Sequence, residues 1–186
     1  LEMKLEDELK KEKKLKELRI YLDFCKKAYE IINKTKQNIM IQTKEEIMLE
    51  TKKIFFQLLW KKETFKDIII DDEYNINLIH SMGYECLGSI SAAERELLAL
   101  SFTLALHKIS GFNFPILIDT PVARVSDEQR KNFGNVLIDI SKDKQVILLF
   151  TPSEYSEEIS NILDNKAIKY QIKLTTDETE TKLEVL

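Results

Sequence analysis

Two apolar runs in the sequence each end in an aspartate. Ile116–Ile118 precede Asp119, and Ile68–Ile70 precede Asp71. A carboxylate that follows a parallel strand lies at the sheet edge where α/β proteins bind ligands, and Mg²⁺ prefers oxygen ligands of this kind. Asp71 is followed at once by acidic residues and a second apolar run, which is typical of a hairpin turn. Asp119 is therefore the better candidate for a metal-binding carboxylate.

The segment Ser91–Glu94 predicts the start of a helix that is able to bind an anion. Ser91 is a good N-cap, and Glu94 stands three residues later, as in a capping box. Unpaired N–H groups at a helix N-terminus attract anions, but a well-capped core helix shows the same pattern. The order of the downstream segments favours the anion site: an apolar helix, Gly111, a buried strand and then Asp119.

The sequence contains no complete phosphate-binding loop. Gly83 and Gly88 have the spacing of one, but Ser89 stands where the lysine belongs, and no buried parallel strand precedes them. The chain alone is therefore not expected to bind ATP well. The remaining reactive residue types share no metal-ligand or catalytic spacing, and we assign them no chemistry: Cys25, Cys86, His80 and His107.

The first sixty residues contain no Gly and no Pro. Apolar side chains recur every three or four residues, which predicts a long helix with one apolar face. We expect residues 1–62 to form a coiled-coil arm and root helix, although a long helix within a bundle has the same pattern.

Residues 63–186 predict an α/β domain. The apolar runs at 115–119 and 145–150 predict buried strands of a parallel sheet flanked by helices. The other predicted elements are a hairpin over 68–78, helices over 91–108, 126–141 and 154–163, and a terminal hairpin over 168–174 and 182–185.

Charge is unevenly distributed along the chain. Residues 1–62 carry a net charge of +5 and residues 63–186 a net charge of −9. A basic arm is able to follow a phosphate backbone, but a solvated helix face of mixed charge is the simpler explanation. No apolar run is long enough to span a bilayer, and no signal peptide opens the chain. We therefore expect a cytoplasmic protein with no membrane partner. We also expect the chain to be a fragment of a longer protein.

Leu87–Glu158 resembles the C-terminal lobe of SMC-like ABC ATPases. The signature motif of that superfamily falls at Ser91–Glu94 and its Walker B strand at Ile116–Asp119. The run from Asp119 to Arg124 is most similar to the DNA sulfur modification ATPases of the DndD family, and Gly111–Pro115 agrees with it.

The resemblance implies a role for each motif. Ser91, Ala92, Ala93 and Glu94 would face an ATP bound on an opposing head, and Asp119 would hold Mg²⁺. The D-loop that touches the partner head would contain Ala123, Arg124, Val125 and Ser126. The switch loop would consist of Thr151, Pro152 and Ser153.

Three positions depart from the superfamily pattern. Ala93 stands where a glycine is usual, and alanine takes a positive φ only at a cost. Thr120 occupies the position of the catalytic glutamate, and a hydroxyl is a poor general base near neutral pH. Pro152 stands where a switch histidine is expected. The hydrolytic base is therefore unassigned, and either slow turnover or the use of ATP mainly as a clamp between heads is expected.

The expected function is that of half an ATPase head that acts on DNA, through phosphorothioate modification or a related bacterial defence. Hydrolysis would need the N-terminal lobe of the same protein and a second head in a homodimer, with other DNA modification subunits as further partners. A general SMC-like DNA-repair ATPase and a non-hydrolysing DNA-tethering module are the alternatives.

Overall fold

The computed structural model describes residues 2–120, 126–174 and 180–186, with side chains from residue 11 onward. Its contacts divide the chain into two compact units, Leu1–Glu45 and Glu46–Leu186. Helix α1, Glu2–Leu58, begins in the first unit and ends in the second. The long helix that the sequence predicts is therefore present.

In the first unit, the apolar side chains of α1 are exposed to solvent. Leu18, Leu22, Tyr29, Ile32 and Ile39 are each more than half exposed. They recur at helical spacing, so they form a stripe that has no covering layer among the residues described. Such a stripe is typical of one strand of a coiled coil.

The second unit contains the remaining elements. In chain order they are β1 Phe65–Ile70, β2 Ile76–His80, α2 Ala92–Ile109, β3 Ile116–Asp119, α3 Asp127–Ser141, β4 Val146–Leu149, α4 Glu157–Leu163, β5 Tyr170–Leu174 and β6 Thr181–Val185. Within the described ranges, the strands form three two-stranded sheets. β1–β2 and β5–β6 are antiparallel hairpins, whereas β3 and β4 pair in parallel.

One hydrophobic core joins most of these elements. It takes Phe55 from the end of α1, Leu78 from β2, Leu97 from α2, Phe133 from α3 and Ile159 from α4. Each of these side chains is at most 1% exposed. The core therefore holds the end of α1, the first hairpin, α2, α3 and α4 together.

The first hairpin places Asp71 in its turn. The Asp71 carboxylate accepts hydrogen bonds from the N–H groups of Glu73 and Asn75, both at 2.9 Å. Tyr74, between them, has a φ of 65°. These local bonds occupy the Asp71 carboxylate as expected for a turn residue, so Asp119 is the candidate for metal binding.

The parallel pair matches the prediction in direction but not in burial. Ile116 pairs with Val146 and Asp119 with Leu149. The prediction that both strands are buried is wrong for one face of the pair, because Leu117 is 64% and Leu149 is 40% exposed. A parallel sheet is normally covered on both faces, so one covering layer is absent from the described residues.

The last helix begins later than the sequence predicts. Glu154 lies in a turn, because its N–H and that of Tyr155 both donate to the carbonyl oxygen of Thr151, at 3.0 and 3.2 Å. Ser156 is extended, with a φ of −75° and a ψ of 169°, and α4 starts after it. The prediction of a helix from residue 154 is therefore wrong by three residues.

The terminal hairpin lies outside the core. Tyr170 pairs with Val185 and Ile172 with Leu183, so these four apolar side chains share one face. Each is more than half exposed. Across the described residues, no helix has the length and apolar character needed to cross a membrane.

Candidate nucleotide-binding site

Asp119 and Thr120 lie at the C-terminal edge of the parallel pair. Asp119 is the last residue of β3 and is exposed. The N–H of Thr120 donates to the carbonyl oxygen of Leu149 at 3.0 Å, so the pairing with β4 extends one residue beyond the aspartate. The two strands thus fix the backbone that carries Asp119 at the ligand-binding edge of the sheet.

Thr120 has a strained backbone. Its φ is 45°, in the left-handed region, which β-branched residues rarely adopt. Strain of this kind persists only where the surrounding structure enforces it, and it concentrates at functional sites. The hydrogen bond to Leu149 is one such constraint.

The start of α2 forms the predicted capping box. The N–H and the hydroxyl of Ser91 both donate to one carboxylate oxygen of Glu94, at 2.8 and 2.7 Å. The Glu94 N–H donates back to the Ser91 hydroxyl oxygen at 3.2 Å. Ser91 has a φ of −64° and a ψ of 160°, which is ordinary N-cap geometry.

The backbone at this helix start leaves N–H groups that are able to bind an anion. Ala92 and Ala93 belong to the first turn of α2, where an α-helix offers their N–H groups no carbonyl partner. Because Ala93 is helical, the cost of a positive φ that the sequence predicted there does not arise. An anion at Ser91 would, however, compete with Glu94 for both Ser91 donors.

The loop after β4 is closed by a second bond network of the same kind. The N–H and the hydroxyl of Thr151 donate to one carboxylate oxygen of Glu154, at 2.9 and 2.7 Å. The hydroxyl oxygens of Thr151 and Ser153 are 3.1 Å apart. Pro152 and Ser153 are exposed. Since Thr151 lies two residues beyond Leu149, this loop leaves the same sheet edge as Asp119.

Only part of the predicted D-loop can be placed. Ala123, Arg124 and Val125 lie outside the described residues. Ser126 caps α3, and its N–H and hydroxyl donate to the side-chain oxygen of Gln129, at 3.0 and 3.1 Å. Gln129 is 5% exposed, so the end of this segment is anchored to the core.

The structure therefore identifies Gln129 and Glu154 as anchors that the sequence reasoning missed. Each follows a Ser or Thr by three residues, as Glu94 follows Ser91. The spacing that predicted the first capping box would have found the other two, had it been applied to every Ser and Thr.

A single carboxylate is a suitable partner for Mg²⁺ at the sheet edge. Among the described residues, no group of three or more His, Cys, Asp or Glu side chains converges as a metal site. Mg²⁺ on a nucleotide commonly takes only one or two protein carboxylates together with phosphate oxygens and water. The donor set at Asp119 fits that mode and does not fit an all-protein metal site.

Three comparisons relate this geometry to known proteins. No protein-family profile matches the chain, and no curated protein matches it by sequence. Solved structures do match. One is a chain from a structural study of ATP-driven dimerisation and DNA-stimulated activation of SMC ATPases, with 19% identity and a TM-score of 0.62 over 80% of this chain and 88% of that one.

Two Smc heads from Pyrococcus match as well. The Pyrococcus yayanosii head with coiled coil and joint gives 17% identity and a TM-score of 0.66, over 84% of this chain and 30% of that one. The Pyrococcus furiosus head has an extended coiled coil and is bound to the C-terminal domain of ScpA. It gives 20% identity and a TM-score of 0.65, over 84% of this chain and 39% of that one. The chain thus has the fold of the C-terminal lobe of an SMC-type head, and it spans well under half of these two chains.

Proposed function

We propose that this chain is the C-terminal half of an SMC-like ABC ATPase head that holds ATP and Mg²⁺ between two heads. The observation that carries the proposal is the placement of Asp119. It ends one parallel strand, beside the loop that follows the next, within a fold shared with SMC heads. That is the position from which a Walker B aspartate holds Mg²⁺ on a nucleotide.

The uncovered face of the parallel pair supports a missing N-terminal lobe. Leu117, Ile147 and Leu149 alternate with the inward-facing residues and are 64%, 42% and 40% exposed. Two parallel strands do not form a stable sheet alone. A lobe from upstream sequence would cover this face and would also carry the phosphate-binding loop that this sequence lacks.

The described residues of one chain would act at two nucleotides, one bound on each head. Bound ATP–Mg²⁺ supplies the reactive phosphoanhydride and neutralises phosphate charge. Asp119 would hold Mg²⁺ at the nucleotide of its own head, and the N–H groups of Ala92 and Ala93 would stabilise negative charge on the nucleotide of the opposing head. The Ser91 hydroxyl would join them only if Glu94 released it. The role of general base stays unassigned, since Thr120 is not an acid.

The first prediction concerns the metal role of Asp119. In the full-length protein, Asp119→Ala should lower Mg²⁺-dependent ATP turnover by about 100-fold or more, because metal charge stabilisation is worth several kcal/mol and each 1.4 kcal/mol is tenfold in rate. Steady-state turnover measures it. Asp139→Ala, an exposed carboxylate of α3, is the matched control and should leave turnover unchanged. Equal rates for Asp119→Ala and wild type would remove the metal role.

We further propose that the ATPase acts on DNA in phosphorothioate modification or a related bacterial defence. The support is the Asp119–Arg124 run and its similarity to the DndD family. Deleting the gene in its host should abolish phosphorothioate linkages in genomic DNA, measured by mass spectrometry of digested nucleosides. Unchanged linkages would favour a general DNA-repair ATPase instead.

One observation favours a second candidate, a non-hydrolysing DNA-tethering module. Thr120 and Pro152 replace the two side chains that usually act in hydrolysis. This candidate predicts DNA binding by the full-length protein with no ATP turnover above that of Asp119→Ala.

A further inference from the structure

The carboxylate of Glu154 is buried beneath the loop that follows β4. The residue is 3% exposed. It accepts the N–H and the hydroxyl of Thr151, while its own N–H donates to the Thr151 carbonyl oxygen at 3.0 Å. Three hydrogen bonds thus join these two residues, and they fix both the backbone and the side chain of Thr151.

Burial distinguishes Glu154 from the comparable residue Glu94. Glu94 makes the same pair of bonds to Ser91 while half-buried at the start of α2. Removing a carboxylate from water costs free energy unless strong hydrogen bonds compensate. Closing a turn does not require that burial, because Glu94 shows that an accessible carboxylate forms the same bonds.

The loop that Glu154 anchors begins beside the proposed metal ligand. Asp119 pairs with Leu149, and Thr151 is the second residue after Leu149. From Thr151 the contacts continue outward to Ser153, whose hydroxyl oxygen is 3.1 Å from that of Thr151. A continuous hydrogen-bonded path therefore runs from a buried carboxylate to an exposed hydroxyl in the loop after β4.

We propose that Glu154 is a positioning residue of the nucleotide site, which orients Thr151 and, through it, the Ser153 hydroxyl, whose oxygen then accepts a hydrogen bond from a water molecule at the phosphate end of a bound nucleotide. The proposal rests on the function proposed above. Because the Thr151 hydroxyl donates to Glu154, its oxygen is directed to accept from Ser153. A fixed pair of hydroxyls thereby stands in the loop where the superfamily resemblance places a histidine.

The test uses four variants of the full-length protein and two readouts. Glu154→Ala removes the anchor, Glu154→Gln keeps an acceptor oxygen, and Thr151→Val removes only the hydroxyl. Glu157→Ala, an exposed carboxylate at the start of α4, is the matched control. Hydrogen exchange of residues 150–156 reports the loop without nucleotide, and steady-state kinetics give kcat and KM for ATP.

The expected result is faster exchange at 150–156 and a kcat at least about 10-fold lower in Glu154→Ala, with KM changed by less than about twofold, because positioning groups act mainly in the transition state. Glu154→Gln should recover most of the rate. Thr151→Val keeps the backbone bonds, so it should lower kcat without loosening the loop. It therefore tests the proposal even if Glu154→Ala is too unstable to measure. Glu157→Ala should behave as wild type.

Two outcomes would overturn the inference while leaving the proposed function intact: a wild-type kcat in Glu154→Ala and Thr151→Val, or an equal loss of kcat in Glu157→Ala. Failure of the proposed function looks different, since wild type would then show no ATP turnover that depends on Asp119. In that case the positioning role falls with it, because no site remains for Glu154 to serve.

Discussion

Thr120 combines a poor catalytic group with a strained backbone. By the resemblance to SMC-like ATPases its hydroxyl would stand where a carboxylate is usual, and its φ of 45° places it in a conformation that β-branched residues avoid. Such strain costs about 1–3 kcal/mol. Because this conformation costs stability, Thr120 fits a position with a functional role. The sequence showed the unusual residue, but only the backbone shows the strain.

The second prediction is a gain of function at Thr120. Thr120→Glu should raise ATP turnover by at least about 10-fold, because a positioned general base contributes about 10²–10⁴-fold. Thr120→Gln has the same size and relieves the same β-branching, but it supplies no base. Steady-state rates of the two variants separate chemistry from strain. Equal rates in both would show that the missing base does not limit turnover.

At the scale of elements, α3 and α4 pack closely at Gly134. A Cβ built on Gly134 would lie 3.1 Å from Cγ2 of Ile162, which is tighter than normal contact. Both helices bury side chains in the core, through Phe133 and Ile159. The glycine therefore allows α4 to approach α3, and this packing fixes the two helices that follow β3 and β4.

The third prediction tests this helix packing. Gly134→Val should destabilise the protein by about 1–3 kcal/mol through overpacking. Asn135→Val, on the exposed side of the same helix, introduces the same side chain without the close approach to Ile162. Urea unfolding compares the two. A Gly134→Val variant as stable as Asn135→Val would show that α4 is not tightly packed on α3.

Most elements could be predicted from the sequence because local signals specify them. The capping box at Ser91, the turn at Asp71 and the apolar runs of β3 and β4 need no tertiary information. The exposed face of β3 could not be predicted, since an apolar run looks the same whether its cover comes from this chain or from another. The start of α4 was misplaced because Glu154, a good helix former, is committed to Thr151 instead.

At the scale of the whole molecule, three apolar surfaces are exposed among the described residues. The α1 stripe, the outer face of β3–β4 and the face of the β5–β6 hairpin are all exposed. Apolar surfaces of this extent are unusual on a monomer and mark contacts with other elements. In the proposed function, an upstream arm and lobe of the same protein cover the first two. Net charge also differs along the chain, since residues 1–62 are basic and residues 63–186 are acidic.

The fourth prediction concerns the basic arm. If the arm binds DNA phosphates, replacing Lys10, Lys11, Lys13 and Lys14 with Gln should reduce the slope of log binding constant against log salt by about 0.9 for each phosphate that is no longer neutralised. The control replaces four lysines of the body: Lys131, Lys142, Lys166 and Lys182. A salt titration of DNA binding gives both slopes. An unchanged slope in the arm variant would assign its lysines to a solvated helix face.

The proposed function depends above all on two heads that close on nucleotide through the start of α2. Light scattering of the full-length protein with and without a non-hydrolysable ATP analogue measures this closure. We expect an analogue-dependent dimer that Ser91→Arg abolishes, because a long side chain blocks the exposed helix start. Ser141→Arg, at the far end of α3, should dimerise as wild type does. A Ser91→Arg protein that still dimerises with the analogue, or a wild type that never does, would refute the closure of two heads at this helix.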